Sequence, residues 1–168
     1  MTQPGRPLRV LFICTANSAR SQIAATILNQ KGAGRFVAES AGSHPAGEVN
    51  PGAIAALERY GYRWPGGHPR GLDEVMADEW DFVVTVCDRA RETCPILPGQ
   101  PMTAHWGLPD PAAVEGPDEE RRRAFDDTVL AMTRRVDLFL ALLIGKLTRL
   151  ALEQRVRSIG GASEGTIR

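Results

Sequence analysis

A cysteine at the end of an apolar run, followed after five residues by an arginine, is the pattern in this chain best suited to chemistry: Cys14-Thr15-Ala16-Asn17-Ser18-Ala19-Arg20. The segment leaves Leu8–Cys14, which reads as a buried strand. It enters a run with helical spacing, Ser18–Lys31, with Ile23, Ile27 and Leu28 on one side and Gly32 and Gly34 ending it. Backbone N–H groups at a helix N-terminus bind anions, and a tight loop adds more converging donors. Asn17 tolerates the left-handed conformation such a loop needs, and Arg20 grips two oxygens at once. Thr15, Ala16, Asn17, Ser18, Ala19 and Arg20 are thus expected to hold a tetrahedral oxyanion. The positive surroundings are expected to lower the pKa of Cys14 and hold it as a thiolate, with Ser18 and Ser21 donating to the sulfur. A small buried cysteine with Ser18 as a helix cap fits the same residues, and the spacing alone does not choose. The Gly-Lys-Ser/Thr ending of a nucleotide-binding loop is absent.

Two further cysteines follow a second apolar run. Asp81–Cys87 reads as a strand, and Cys94 stands seven residues further on, before Pro95. In a regular helix, Cα atoms seven residues apart are separated by about 10.5 Å, whereas a disulfide needs roughly 4.4–6.8 Å. A bond between Cys87 and Cys94 therefore requires a looped or unwound segment. Arg89 and Arg91 favour thiolates there; two plain surface thiols fit as well. A metal site built from the three cysteines with His68 or His105 has no Cys-x-x-Cys pair to support it, and no metal is expected. Met102–Trp106 reads as a strand, and His105-Trp-Gly-Leu-Pro-Asp110-Pro111 then brings an aspartate onto a Pro-rich loop. An acid that protonates a departing oxygen is the part that displacement at a tetrahedral oxyanion still lacks. An Asp-Pro turn without such a role fits the same residues. His105 is expected to be structural.

The elements that position these residues alternate between strand and helix. Phe36–Ser40 reads as a strand. Asn50-Pro51 opens a helix through Tyr60. Trp64–Arg70 must be loop, and Asp73–Met76 a short helix. Pro117 begins a long helix with Asp118, Glu119 and Glu120 at its positive end. Phe125, Val129, Met132, Val136, Phe139, Leu143, Leu147 and Leu150 make one apolar stripe along it, and it is expected to run to Arg157. Ser158–Arg168 is expected to be disordered. The pattern implies an α/β fold: a doubly wound, mainly parallel four-stranded sheet with helices on both faces, as one domain over residues 1–157. Ligands of such sheets sit at the carboxyl ends of the strands, where both Cys14 and Cys87 fall.

The length, 168 residues, suits one domain. Twenty basic and twenty acidic residues cancel, so no overall basic field draws in nucleic acid. No secretory signal is visible, and no apolar run approaches the roughly 20 residues of a membrane span. Three cysteines, an odd number, argue against a static disulfide framework and for the cytoplasm.

Together these residues resemble one family. Cys14-Thr-Ala-Asn-Ser-Ala-Arg20-Ser21-Gln22, Glu39-Ser-Ala-Gly42, Val84-Thr-Val-Cys87-Asp88, Cys94-Pro95 and His105-Trp-Gly-Leu-Pro-Asp110-Pro111 look like the thioredoxin-coupled bacterial arsenate reductases built on the low-molecular-weight tyrosine phosphatase fold. The resemblance runs from about Leu8 to about Leu143. It implies that Cys14 attacks arsenate, Arg20 and the loop N–H groups neutralise charge, and Asp110 protonates the departing oxygen. Cys87 would then attack Cys14, and Cys94 would attack Cys87, leaving a Cys87–Cys94 disulfide for thioredoxin, with glutathione and glutaredoxin as the alternative reductant. No cofactor is implied. Three features depart from the family. Ala16 stands where many relatives have Gly, Arg70 stands where some have an acidic side chain beside a monovalent cation, and the last helix extends beyond the usual end. That extension is expected to pack on the domain or on a second copy, giving a monomer or weak homodimer. Two rivals remain. A tyrosine phosphatase would need Cys14, Arg20 and Asp110 only, and Gln22 stands where phosphatases of this fold usually have Pro. A thiol-based arsenite or metal sensor would not need Arg20.

Overall fold

Four strands, β1 (Leu8–Cys14), β2 (Phe36–Gly42), β3 (Phe82–Thr85) and β4 (Met102–His105), form one sheet in the computed structural model. It describes residues 5–94, 97–142, 144 and 147–167, without the side chains of 93 and 162–167. The order is β2-β1-β3-β4 and every pair is parallel. Parallel strands are covered on both faces. Val10, Leu11, Phe12 and Ile13 are accordingly all fully buried, as are Phe82 and Val84. The chain leaves β1 toward β2 on one side and returns to β3 on the other. The winding direction therefore reverses between β1 and β3, and a crevice opens at such a point beyond the carboxyl ends of the strands. Cys14 closes β1, and Cys87 lies just past the end of β3.

Helices α1 (Arg20–Lys31), α2 (Pro51–Arg59), α3 (Asp88–Thr93), α4 (Asp118–Leu140) and α5 (Arg149–Ile167) complete the fold. The Asn50 side chain caps α2 by accepting from Gly52 N–H, with Pro51 in the first turn. Expected Asp73–Met76 is a single 3-10 turn, Leu72–Glu74. On α4 the stripe Phe125, Val129, Met132, Val136 and Phe139 is buried. Phe139 packs its ring against Phe36, Phe82 and Trp106, with centroids 4.9, 5.1 and 5.8 Å away. Tilted and edge-on contacts at these spacings are the favoured aromatic geometries.

Two expectations are corrected. The long helix does not run on to Arg157: α4 stops at Leu140, and α5 starts at Arg149. Leu143 of the expected stripe lies outside the described residues, and Leu150 is exposed. Ser158–Ile167, expected to be disordered, is part of α5. This helix packs on its own chain. Leu152, Val156 and Ile159 are buried, and the Trp106 indole N–H donates to Val156 O at 3.0 Å. Gly160 lies against the end of β4 so closely that a Cβ there would meet His105 O at 2.4 Å. Among the described residues no helix is long and apolar enough to cross a membrane.

Candidate active site

Between β1 and α1 the loop Thr15–Ala19 turns its carbonyls outward. The carbonyls of Cys14, Thr15, Ala16 and Ser18 accept from the N–H groups of Ser43, His44, Ala46 and Asn50, at 3.2, 2.8, 2.9 and 2.8 Å. Outward carbonyls leave the N–H groups on the inner side. Those of Thr15, Ala16, Ser18, Ala19 and Arg20 meet no acceptor among the described hydrogen bonds. The loop and the first turn of α1 thus present a concave row of donors, the arrangement that binds anions. Asn17, fully buried, is the turning residue, with φ 52°. Ala16, the departure from Gly, does not need the left-handed region.

Gly42, at the end of β2, makes this turn possible. A Cβ there would lie 2.5 Å from Thr15 O and 2.9 Å from Asn17 N. Gly42→Ala is therefore expected to lower stability by about 1–3 kcal/mol through overpacking. It should also weaken binding of inorganic phosphate by at least tenfold, because the displaced backbone carries the donor row. Calorimetric titration and thermal melts check this; unchanged affinity would mean that the loop yields freely.

Cys14 Sγ lies 2.8 Å from Ser21 Oγ and 3.1 Å from the Asn17 N–H. Ser18 was expected to share this task, but among the described hydrogen bonds its hydroxyl reaches no partner; its carbonyl takes Asn50 N–H instead. Nor is Ser18 the helix cap, since that position falls on Ala19. The direction of the Cys14 pKa is also corrected. Burial pushes this thiol above its ordinary value, and the Ser21 and Asn17 hydrogen bonds and the Arg20 charge pull down without overcoming it. The sequence suggested the favourable charges but not that the loop closes over the sulfur, which is 2% exposed.

Arg20 reaches from α1 across the loop mouth. Its Nη1 donates to Leu108 O at 3.0 Å, and its Nη2 lies 3.9 Å from Asp110 Oδ2. Asp110 is half exposed and caps the turn Pro111–Ala113 by accepting from Ala112 N–H at 2.9 Å. The Pro-rich loop thus brings the carboxylate beside the guanidinium. The residue that holds this loop escaped the sequence reading. Arg135, 1% exposed in the apolar stripe of α4, donates from Nη1 to the carbonyls of Trp106 and Gly107. The available signal was a lone arginine on the buried face of a helix, a position where charge is costly unless it is fully engaged.

Cys87 flanks the loop on its other side, with Sγ 3.4 Å from Thr15 Oγ1. It also caps α3, accepting from Ala90 N–H at 3.4 Å. Cys94 is the residue at the other end of the same helix. Segment 88–93 is therefore helical, the geometry in which the two cysteines cannot bond. The first residue of α3 is held from β4: Asp88 Oδ1 and Thr85 Oγ1 each lie 2.8 Å from a ring nitrogen of His105. Cys87 is buried and Cys94 half-buried, and burial pushes the Cys94 thiol up. A cavity of about 1160 Å³ lies beside α3, lined by Cys94, Asp88, Arg91 and His105, with Arg157 and Gly160 of α5 on one wall. Pro95 lies outside the described residues. Among those described, no three His, Cys, Asp or Glu side chains converge on one point. Arg70 pairs with Glu39 at 3.0 Å, and Glu39 pairs with Arg9 at 2.9 Å.

An arsenate reductase of Halalkalibacterium halodurans is 35% identical over 116 residues, 69% of this chain and 83% of that protein. A solved thioredoxin-dependent arsenate reductase of Corynebacterium glutamicum superposes with a TM-score of 0.58 at 28% identity, covering 81% of this chain and 65% of that one. A low molecular weight protein tyrosine phosphatase of T. tengcongensis shares the fold, with a TM-score of 0.65 at 22% identity over 83% of this chain and 99% of that one. The family model for low molecular weight phosphotyrosine protein phosphatases matches residues 9–151, and the chain belongs to that family.

Proposed function

We propose that this chain reduces arsenate to arsenite through Cys14, Cys87 and Cys94, with thioredoxin as the reductant. The observation that carries the reading is the position of Cys87, beside the loop that holds Cys14 and at the head of a short helix that ends in Cys94. A phosphatase of this fold needs neither of those thiols, and a thiol-based sensor needs neither the donor row nor Arg20. The arsenate reductases among the relatives support the same reading. A reductant protein suits the cytoplasm, where such thiols stay reduced.

The oxyanion sits in the N–H row with Arg20 across its mouth. Burial pushes the Cys14 thiol up, and in this step its proton passes to the incoming dianion. The thiolate then attacks arsenic, and Asp110 supplies a proton to the departing oxygen, which leaves as water. Cys87 attacks the sulfur of Cys14. The S–S bond forms as the S–As bond breaks, and that bonding pair stays on arsenic, which leaves as arsenite. Cys94 attacks Cys87 and releases Cys14 as a thiolate. Thioredoxin then reduces Cys87–Cys94 by exchange.

The test is arsenate-dependent NADPH oxidation with thioredoxin and thioredoxin reductase. Wild type is expected to turn over, and Cys14→Ser, Cys87→Ser and Cys94→Ser to fall to background. Wild type that consumes no NADPH but hydrolyses an aryl phosphate would be a phosphatase. Full turnover of Cys94→Ser with glutathione and glutaredoxin would overturn the choice of reductant.

A further inference from the structure

A chain of hydrogen bonds ends on Cys14, and the backbone fixes its direction. Arg70 N–H can only donate, and it meets Asn17 Oδ1 at 2.8 Å. That end of the Asn17 amide is therefore oxygen, whatever an isolated amide would leave open. The other end, Nδ2, donates to Ser21 Oγ at 2.8 Å. With its oxygen accepting from Asn17, Ser21 has its single proton free for Cys14 Sγ, 2.8 Å away. A thiolate can only accept, so once Cys14 is ionised Ser21 is the donor of that pair, and the chain favours a sulfur anion.

Gln22 completes the arrangement. The carbonyls of Cys14, Thr15, Ala16 and Ser18 each accept a backbone N–H, but among the described hydrogen bonds Asn17 O accepts only from Gln22 Nε2, at 3.2 Å. The same nitrogen lies 3.1 Å from Asn17 Oδ1. Both atoms it meets are acceptors, so Gln22 must present its NH₂ group. One side chain in the first turn of α1 thus ties down the carbonyl and the side-chain oxygen of the buried left-handed residue.

We propose that Gln22 is a positioning residue for the Cys14 thiolate, holding Asn17 in the conformation and amide orientation that make Ser21 a donor to the sulfur. This deepens the reading above and rests on Cys14 being the nucleophile. The other titratable and charged side chains around Cys14 are Arg20 on α1, Asp110 beyond it, Cys87 across Thr15, and the Arg70–Glu39 pair behind Asn17.

Iodoacetamide alkylation of Cys14, in a background where Cys87 and Cys94 are serine, reads the thiolate without arsenate. Gln22→Met keeps length and charge and removes the donor. It is expected to slow alkylation at pH 7 by about three- to tenfold, the factor one hydrogen bond of ordinary net strength carries, and to move the alkylation midpoint to higher pH. Ser21→Ala is expected to slow it at least as much. Because Gln22 acts through Ser21, the double variant is expected to match Ser21→Ala alone. Thermal melts confirm that each variant is folded. Wild-type alkylation in Gln22→Met, or effects that multiply in the double variant, would overturn the proposal. Loss of arsenate turnover in the wild type would instead strike only the assigned reaction.

Discussion

Arg20→Ala is expected to lower the rate of arsenite formation by about a thousandfold. Removing one preorganised donor from an oxyanion site typically costs 10²- to 10³-fold, roughly 2.7–4 kcal/mol, and Arg20 supplies charge as well as donors. It is preorganised: Nη1 is already fixed to Leu108 O at 3.0 Å, so no reorganisation is needed as charge develops on the substrate. The same residue faces the Asp110 carboxylate, so its loss also unsettles the group assigned to protonate the departing oxygen. Arg20→Lys is expected to recover only part of the loss, because an ammonium is a point charge and cannot hold a carbonyl and two oxyanion oxygens in one plane. Rates come from quenched-flow detection of arsenite over a single turnover, which separates this step from reduction by thioredoxin. Arsenite binding to the thiols should be unaltered in Arg20→Ala. If turnover stayed within tenfold of wild type, the oxyanion role of the loop would be wrong, and a thiol-based sensor would become the better reading.

The sequence was most informative where a local pattern meets a general rule. Strand runs rich in branched residues, a cysteine at the end of the first and a helix after it were enough to expect the four-stranded parallel sheet and the anion-binding loop, and the fold bears out the sheet. What escaped the reading depends on tertiary approach. Nothing local to Gly42 says that Thr15 O will lie where its Cβ would go. Nothing local to Arg135 says that two carbonyls of the Asp110 loop wait beside it. The direction of the Cys14 pKa was misjudged because charge is visible in a sequence, whereas burial depends on which segments close over the sulfur. The break after Leu140 did have a signal: Gly145 is a poor helix residue, and the periodic stripe outweighed it. Residues 88–93 were left open between loop and helix because Cys87, which caps the helix with its sulfur, is not a residue one looks for at a cap.

The formation of the Cys87–Cys94 disulfide is expected to melt α3. With the segment helical, the two Cα atoms are separated by about 10.5 Å, far outside the roughly 4.4–6.8 Å that the bond requires. The helix is suited to give way. It has six residues, fewer than the ~12–15 that make an isolated helix even marginal in water. Its Arg91 N–H to Cys87 O bond, at 3.2 Å, and the Ala90 N–H contact to the Cys87 sulfur are both lost when Cys87 turns toward Cys94. The cavity beside it gives the displaced segment somewhere to go. The relay also has a physical reason in burial. Cys14 and Cys87 are 2% and 3% exposed, so a disulfide between them would be closed to a protein reductant, whereas Cys94 is half-buried. Passing the bond to Cys94 carries the oxidising equivalent toward the surface. One equivalent of arsenate is therefore expected to abolish hydrogen-exchange protection over residues 89–94 in wild type, and thioredoxin to restore it. In Cys94→Ser the same equivalent should release arsenite once, leave α3 protected, and yield a Cys14–Cys87 disulfide by mass spectrometry. Steady-state turnover should fall at least a thousandfold, since the buried disulfide has no exit. Retained protection over 89–94 in oxidised wild type would mean that the two cysteines meet some other way, and that α3 is not the moving part.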